Sequence, residues 1–106
     1  MIIFFLEKNL PESQRSLVEE KLRESSLIED VQFISPEQAL EEFQNNFPEL
    51  RRIIENLRVN PFPSSFEATI REENFSSNET LTFIQEMKEM KGIEDIQFNI
   101  KPFYGF

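Results

Sequence analysis

Carboxylates are the side chains in this sequence that could perform acid–base chemistry. Eighteen Glu and two Asp are present, and three adjacent pairs, Glu19-Glu20, Glu41-Glu42 and Glu72-Glu73, supply the residue type that glycoside hydrolases place across a cleft. General acid catalysis requires one such carboxyl in an apolar pocket that raises its pKa. Neighbouring carboxylates on exposed helix faces do not meet that requirement. We therefore predict that the protein is not an enzyme.

The rest of the composition removes other kinds of chemical site. The chain has no His and no Cys, which excludes imidazole bases, thiolate nucleophiles, disulfides and Cys/His zinc sites. With Gly92 and Gly105 as the two glycines, no phosphate-binding loop or dinucleotide fingerprint can be written. Asp30 and Asp95 stand apart, so no calcium loop is present either. We predict no cofactor and no metal.

Net charge and hydropathy limit the possible partners and the possible location of the protein. A formal charge of −9 repels nucleic-acid phosphates and anionic lipid headgroups, so nucleic acid is not an expected partner. No apolar run approaches the roughly 18–20 residues that cross a bilayer, and the first residues lack the basic lead of a signal peptide. The sequence starts directly in an apolar, strand-like run, which is typical of a domain cut from a longer protein. We expect a soluble domain.

An internal repeat is the strongest structural pattern in the chain. Leu27-Ile-Glu-Asp-Val-Gln-Phe-Ile34 returns sixty-five positions later as Gly92-Ile-Glu-Asp-Ile-Gln-Phe-Asn99. Each copy follows a stretch with helical periodicity, and each of those stretches follows an apolar run. The sequence therefore predicts a duplicated strand–helix–strand unit.

In the first unit, the continuous apolar run Ile2–Leu6 predicts a central strand that is buried on both faces. A helix is predicted to begin at Pro11, because proline is favoured at the first helical position. Val31 and Phe33 alternate with polar residues, which predicts a half-buried strand. The predicted apolar face of the helix consists of Leu17, Val18 and Leu22.

The second unit repeats this pattern. Apolar residues alternate from Phe66 to Ile70, Ser76 and Glu79 have the spacing of a capping box, and Gly92 is placed where a helix C-cap is expected. The predicted helix packs through Phe83, Ile84, Met87 and Met90, and the predicted last strand through Ile96, Phe98 and Ile100.

Together these elements predict the fold class. Two successive βαβ units with antiparallel neighbours give an α+β, ferredoxin-like split βαβ sandwich, in which the first and third strands are central. We expect one domain over residues 1–106, with the first unit at 1–35, an inserted two-helix lobe and its connector at 36–63, and the second unit at 64–101. Because inserted segments commonly carry function, the lobe is the segment to examine.

The lobe has clear boundaries in the sequence. Ser35-Pro36-Glu37-Gln38 predicts an N-cap followed by proline in the first turn, with Gln38 reaching back to the cap. Pro48 is predicted to end the first helix and start a second, and Asn60-Pro61-Phe62-Pro63 predicts a stiff, extended connector. The predicted apolar stripes are Ala39, Leu40, Phe43 and Phe47 on the first helix and Leu50, Ile53, Ile54 and Leu57 on the second.

Two interpretations of the lobe remain open at this point. Its apolar stripes could pack on each other and cover the sheet, or a two-helix lobe could be too thin to bury them and so receive a partner helix. Likewise, Arg51, Arg52 and Arg58 could form a solvated face paired with Glu49 and Glu55, or could steer an acidic partner.

Two segments resemble a known family. The stretch Val31–Phe43 and the motif Asn60-Pro-Phe-Pro-Ser-Ser-Phe66 resemble the large extracytoplasmic loop of the bacterial cell-division protein family FtsX. In that family a Ser-x-Glu-x-Ala-Leu type helix start precedes a helical lobe, and an Asn-Pro-Leu-Pro-x-Ser-Phe type motif leads into the next strand. Phe62 replaces the expected leucine, which leaves the double-proline geometry unchanged. The resemblance extends from the first strand to Phe98.

The resemblance implies a domain outside the cytoplasmic membrane, between two transmembrane helices of a full-length protein that is membrane-embedded, dimeric and paired with the ATPase FtsE. It implies a docking role, in which ATP-driven change is transmitted to peptidoglycan hydrolases directly or through a coiled-coil activator. Partner contact in that family lies largely on the lobe. By lobe position, the partner-binding candidates are Phe43, Phe47, Leu50, Ile53, Ile54 and Phe62.

The sequence is also compatible with a second class of function, a free-standing regulatory module. Many ferredoxin-like sandwiches are free-standing regulatory modules that bind a small ligand or dimerise through the sheet. A reading frame with flanking hydrophobic helices would favour the docking domain, and a stop codon just after Phe106 would favour the module.

Overall fold

The computed structural model describes residues 1–74 and 77–98, in which two βαβ units flank a helical lobe. The elements are β1 (Ile2–Leu6), α1 (Glu12–Glu24), β2 (Ile28–Ile34), α2 (Pro36–Asn46), α3 (Arg51–Leu57), β3 (Ser65–Ile70), α4 (Asn78–Lys88) and β4 (Ile93–Phe98). Short 3-10 helices, Pro48–Leu50 and Glu72–Asn74, precede α3 and α4 respectively.

The four strands form one antiparallel sheet in the order β2-β3-β1-β4. This is the split βαβ order, and it confirms the prediction that the first and third strands are central. The two copies of the repeat form β2 and β4, which are the two edges of the sheet. Each edge strand exposes an acidic pair, Glu29-Asp30 in one and Glu94-Asp95 in the other. Charge at a sheet edge discourages pairing with another strand.

The hydrophobic core lies between one face of the sheet and the helices α1 and α4. Phe4 and Phe66 are fully buried there, and each contributes roughly 2–3 kcal/mol through the burial of its ring. The prediction for α1 was partly wrong, because Leu17 is 51% exposed on the outer side of the helix. The helical side chains that are buried in this core are Val18, Leu22, Phe83, Ile84 and Met87.

The opposite face of the sheet is only partly covered. Ile3 and Phe5 of β1 point away from the core helices and are half-buried, so the predicted burial of this strand on both faces is incomplete. Antiparallel pairing places Phe5 opposite Ser65, which in turn lies opposite Ile34. The lobe begins after Ile34 and ends before Ser65, so it lies over this row.

Local interactions at the predicted positions define the boundaries of the lobe. The Ser35 hydroxyl accepts a hydrogen bond from the Gln38 backbone N–H at 3.1 Å, and the Gln38 side chain accepts one from the Ser35 N–H at 2.9 Å, which confirms the capping box. Pro48 follows the end of α2, as predicted. In the connector, the Asn60 side chain accepts a hydrogen bond from the Phe62 N–H at 2.9 Å and closes a turn.

Both ends of α4 differ from the prediction. The N-cap is Ser77, whose hydroxyl accepts a hydrogen bond from the Thr80 N–H at 3.1 Å, whereas the predicted cap Ser76 lies outside the described residues. Gly92 is not the C-cap, because α4 ends at Lys88 and Glu89 caps it.

The last strand is less buried than its alternation suggested. Ile96 is half-buried and Phe98 is 51% exposed, since β4 lies at the sheet edge, where little packs over it. The predicted strand residue Ile100 lies outside the described residues. Phe98 pairs with Ile2, so the beginning of β1 and the end of β4 lie side by side.

Gly92 connects α4 to β4 in a conformation that requires glycine. Its φ is +102°, and a Cβ atom there would lie 3.0 Å from a methyl carbon of Leu10. We predict that Gly92→Ala lowers the free energy of unfolding by about 1–2 kcal/mol, because the new side chain adds backbone strain and crowding. Urea unfolding followed by circular dichroism measures this. Lys91→Ala, in the same turn but exposed, is the control, and an equal loss in both variants would contradict the explanation.

Candidate functional site

A groove with a cavity volume of about 250 Å³ lies between the lobe and the uncovered face of the sheet. We call it the lobe groove. One wall comes from α2 and the connector, and the floor comes from the three strands β1, β2 and β3. Its lining residues are Ile3, Phe5, Ile34, Ala39, Glu42, Phe43, Asn46, Phe47, Phe62, Pro63, Ser65 and Glu67.

Three phenylalanines form the wall of the lobe groove. The Phe43 ring centroid lies 5.0 Å from that of Phe47 and 5.2 Å from that of Phe62, within the range of favourable aromatic contacts. Phe47 is the C-cap of α2 and its backbone N–H donates a hydrogen bond to the Phe43 carbonyl, which keeps the two residues close together. The turn closed by Asn60 brings Phe62 to the same cluster. Phe47 remains 45% exposed, so the cluster presents an aromatic surface to solvent.

The floor of the groove follows from strand alternation. Residues that alternate with the core positions of β1 and β3 face the lobe, and they include apolar Ile3 and Phe5 but polar Ser65 and Glu67. Ile3 lies directly opposite Glu67 in the antiparallel register. The floor is therefore apolar with one carboxylate beside its apolar centre.

Two carboxylates line this groove without a positive partner. Burial raises the pKa of the Glu67 carboxyl above its ordinary range, and the nearby Glu42 carboxylate raises it further. Within the described part of the chain, no Lys or Arg lines the groove, and the ion pairs are Arg15–Glu12 and Arg23–Glu19, both involving α1. The groove is thus electronegative at its floor and rim.

A second cavity of about 260 Å³ lies on another part of the lobe, between α2 and the end of α3. Ile54 lines it, together with Leu40 and the exposed Val59. It shares no lining residue with the lobe groove. The lobe therefore has two separate surface concavities.

The structure brings together three of the six predicted partner-binding residues. Phe43, Phe47 and Phe62 line the lobe groove, whereas Ile54 lines the second cavity. Leu50 and Ile53 line neither, and Ile53 is 59% exposed on α3. Across residues 36–63, all of which the structure describes, no residue is buried. This favours the interpretation that the lobe is too thin to bury its own apolar stripes.

The lobe arginines do not form the ion pairs that one interpretation required. Arg51, Arg52 and Arg58 are exposed, and within the described ranges none of them forms an ion pair with Glu49 or Glu55. Arg58 lies just beyond α3 as its C-cap, with a φ of 59°. None of the three lines the lobe groove.

Glu67 is the site residue that the sequence analysis did not single out. Its alternation with Phe66 and Ala68 correctly placed it on the face away from the core. The sequence left open whether the lobe would cover this face of the sheet, and the structure places the lobe over it. One feature of the sequence could have indicated that Glu67 lies under the lobe: the stiff connector leads directly into β3.

The fold and the groove define a class of protein, namely a ferredoxin-like domain that carries an inserted helical lobe and an open apolar groove. Residues 1–101 match the sequence model of the family described as "FtsX extracellular domain". The chain therefore belongs to the FtsX extracellular domain family, as its motifs predicted. A comparison with curated proteins gave no match.

Solved structures agree with this assignment. The chain is similar to extracellular domain 1 of FtsX from Streptococcus pneumoniae, solved in complex with undecyl-maltoside, with a TM-score of 0.73, 16% identity, and coverage of 92% of this chain and 91% of that one. It is also similar to the solution structure of the large extracellular loop of FtsX from Streptococcus pneumoniae, with a TM-score of 0.69, 16% identity, and coverage of 91% and 96%. At this identity the likeness supports the fold.

Family membership establishes the location and the cellular process. The chain is an extracellular domain of the membrane protein FtsX, which takes part in cell division within the FtsEX complex. Within residues 1–74 and 77–98, none of the helices has both the length and the apolar character needed to span a bilayer.

The raised pKa of Glu67 gives a prediction about stability. The folded state binds the Glu67 proton more tightly than the unfolded state, so stability falls as the pH rises from the ordinary glutamate range through the raised pKa. We predict that Glu67→Gln stabilises the protein near pH 7 by less than about 1 kcal/mol, since solvent screens this partly exposed group. The gain should vanish below about pH 4, where both forms are neutral.

Urea unfolding at both pH values measures this difference. Glu41→Gln is the control, since it removes the same charge from an exposed position beside the groove. An equal gain in both variants at neutral pH would attribute the effect to net charge and would contradict the local explanation.

Proposed function

We propose that the domain is a non-enzymatic docking site for a peptidoglycan hydrolase or for the coiled-coil activator of one. The partner lays an amphipathic helix along the lobe groove, and its apolar side chains contact Phe43, Phe47 and Phe62. In this role the domain recruits the partner to the FtsEX complex and transmits conformational change to it. Leu50, Ile53 and Ile54 are the flanking contacts on the rest of the lobe.

The observation that carries the proposal is the exposed aromatic cluster above an incompletely covered sheet. Phe47 is 45% exposed although its ring contacts Phe43, and Ile3 and Phe5 are only half-buried beneath it. Removing apolar surface of this kind from water favours binding. A helix that places apolar side chains at spacings of three and four residues has the shape to fill a groove of this kind.

The relative positions of the chain ends and the lobe support a transmitting role. Ile2 pairs with Phe98, so the start of β1 and the end of β4 lie next to each other. We propose that these two strand ends connect the domain to the flanking segments of FtsX. The lobe attaches at the other end of the strands, where Ile34 and Phe5 lie opposite Ser65. We propose that movement enters through β1 and β4 and reaches the partner across the rigid sheet.

The solved relative in complex with undecyl-maltoside is a further support. Undecyl-maltoside is a detergent that joins an apolar alkyl chain to a polar sugar headgroup, and that domain was solved in complex with it. We propose that this chain binds apolar groups as well, and that they enter the lobe groove. Binding experiments should therefore contain no detergent.

We predict that Phe47→Asp weakens binding of the coiled-coil segment of the hydrolase or activator encoded in the same genome and raises Kd at least about tenfold. A charged residue in the centre of an apolar contact must be desolvated without compensation. Isothermal titration calorimetry measures the affinity. Leu81→Asp is the matched control, since Leu81 is 55% exposed on α4, on the opposite side of the sheet.

Circular dichroism shows that each variant is folded before its binding is compared. Loss of binding in both variants would contradict docking on the lobe. Saturable binding that Phe47→Asp leaves intact would move the docking site away from the lobe groove. Absence of binding by the wild-type domain would contradict the docking role and favour a regulatory module that binds a small ligand or dimerises.

A further inference from the structure

We propose that the lobe groove selects a partner helix that is basic beside its apolar anchors, and that a Lys or Arg of that helix enters between Glu42 and Glu67. The inference rests on the proposed function, because it specifies the chemistry of the helix that docks. It names a specificity determinant that is separate from the aromatic cluster.

No Lys or Arg among the described residues lines the groove to balance its carboxylates. Glu42 approaches from the wall and Glu67 from the floor, yet the twelve lining residues, all described by the structure, include no Lys or Arg. The ion pairs among the described residues involve neither glutamate. Two unpaired carboxylates therefore face one cavity that otherwise has mostly apolar walls.

Docking of a helix would change the surroundings of these carboxylates. A purely apolar helix laid over the groove would remove Glu67 from water without supplying a partner, and a buried unpaired charge is costly. An acidic helix would add repulsion to that cost. A basic side chain instead compensates both carboxylates at once, because it can donate charge-assisted hydrogen bonds to the two groups from one position.

A basic side chain is also compatible with the aromatic wall of the groove. A Lys or Arg side chain has an apolar stem that packs along apolar surface while its charged head reaches a carboxylate. Glu42, Phe43 and Glu67 line the same groove, so the stem can pack against the aromatic cluster while the charged head reaches the carboxylates. A cation near the face of a Phe ring gains a further attraction.

The rest of the charge distribution agrees with this choice. The net charge of −9 attracts a basic partner over a distance and speeds its encounter. Arg51, Arg52 and Arg58 would favour an acidic partner, but they lie outside the lobe groove. We infer that these arginines do not set the charge preference of this site.

A display library of helical peptides tests the inference and does not require the natural partner. Each peptide is about 20 residues long, with Leu fixed on one face and the neighbouring positions free to be Lys, Arg, Glu, Gln or Ala. The library is selected against the wild-type domain and against the double variant Glu42→Gln/Glu67→Gln. The matched control is Glu37→Gln/Glu41→Gln, which has the same net charge but changes two α2 residues outside the groove.

We expect Lys or Arg to be enriched at one position beside the fixed Leu face with the wild-type domain and with the control. The enrichment should disappear with the groove double variant. A selected peptide should bind the groove double variant about tenfold more weakly and the control within about twofold, since a desolvated charge pair contributes far more than an exposed one. Phe47→Asp should abolish its binding, which shows that the peptide occupies the lobe groove.

Three results would overturn the inference. One is equal enrichment of Lys and Arg with the two double variants, which would show that the preference comes from the net charge of the domain and not from Glu42 and Glu67. Another is enrichment of Glu or of no charge with the wild-type domain. The third is failure to select any peptide whose binding Phe47→Asp removes, because the library contains basic amphipathic helices by construction.

The outcome is distinguishable from failure of the proposed function. If the hydrolase or activator segment binds and Phe47→Asp removes that binding, while the groove double variant binds as tightly as wild type, docking stands and the charge preference fails. If basic peptides are selected as expected but the natural segment does not bind, the groove keeps its preference and the identity of the partner is wrong.

Discussion

The rest of this structure depends on one constraint, which is that the two faces of the sheet are covered to different extents. The central strand β1 is apolar at five consecutive positions, so both of its faces require cover. Two helices fully bury one face, where Phe4 has no exposed surface. The other face receives only a short lobe, which leaves Ile3 and Phe5 half-buried. The proposed docking site lies there, where the chain itself does not complete the packing.

Local hydrogen bonds at the two boundaries of the lobe hold this incomplete cover in place. The capping box at Ser35 sets the direction in which α2 leaves β2, and the turn closed by Asn60 sets the return to β3. These interactions do not depend on a buried core within the lobe, and residues 36–63, which are all described, contain none. The aromatic cluster around Phe43 can therefore remain accessible while its position relative to the sheet stays defined.

The duplicated units serve a different purpose from the lobe. Their repeated Ile-Glu-Asp segments become the edge strands, whose acidic pairs discourage association through the sheet, and their helices complete the core on the far side. The same arrangement brings Ile2 and Phe98 together, away from the end of the sheet that carries the lobe.

The sequence by itself determined much of this protein, because the signals involved are local. The repeat, the alternation in β3, the capping box at Ser35 and the break at Pro48 predicted the elements, their order and the inserted lobe. Tertiary structure decided which side chains share a site, since that depends on where the lobe returns over the sheet. It separated Phe43, Phe47 and Phe62 from Leu50, Ile53 and Ile54, and it placed Glu67 in the groove. Periodicity assigns a residue to a face, but only packing between distant elements decides whether that face meets water, a core or a groove.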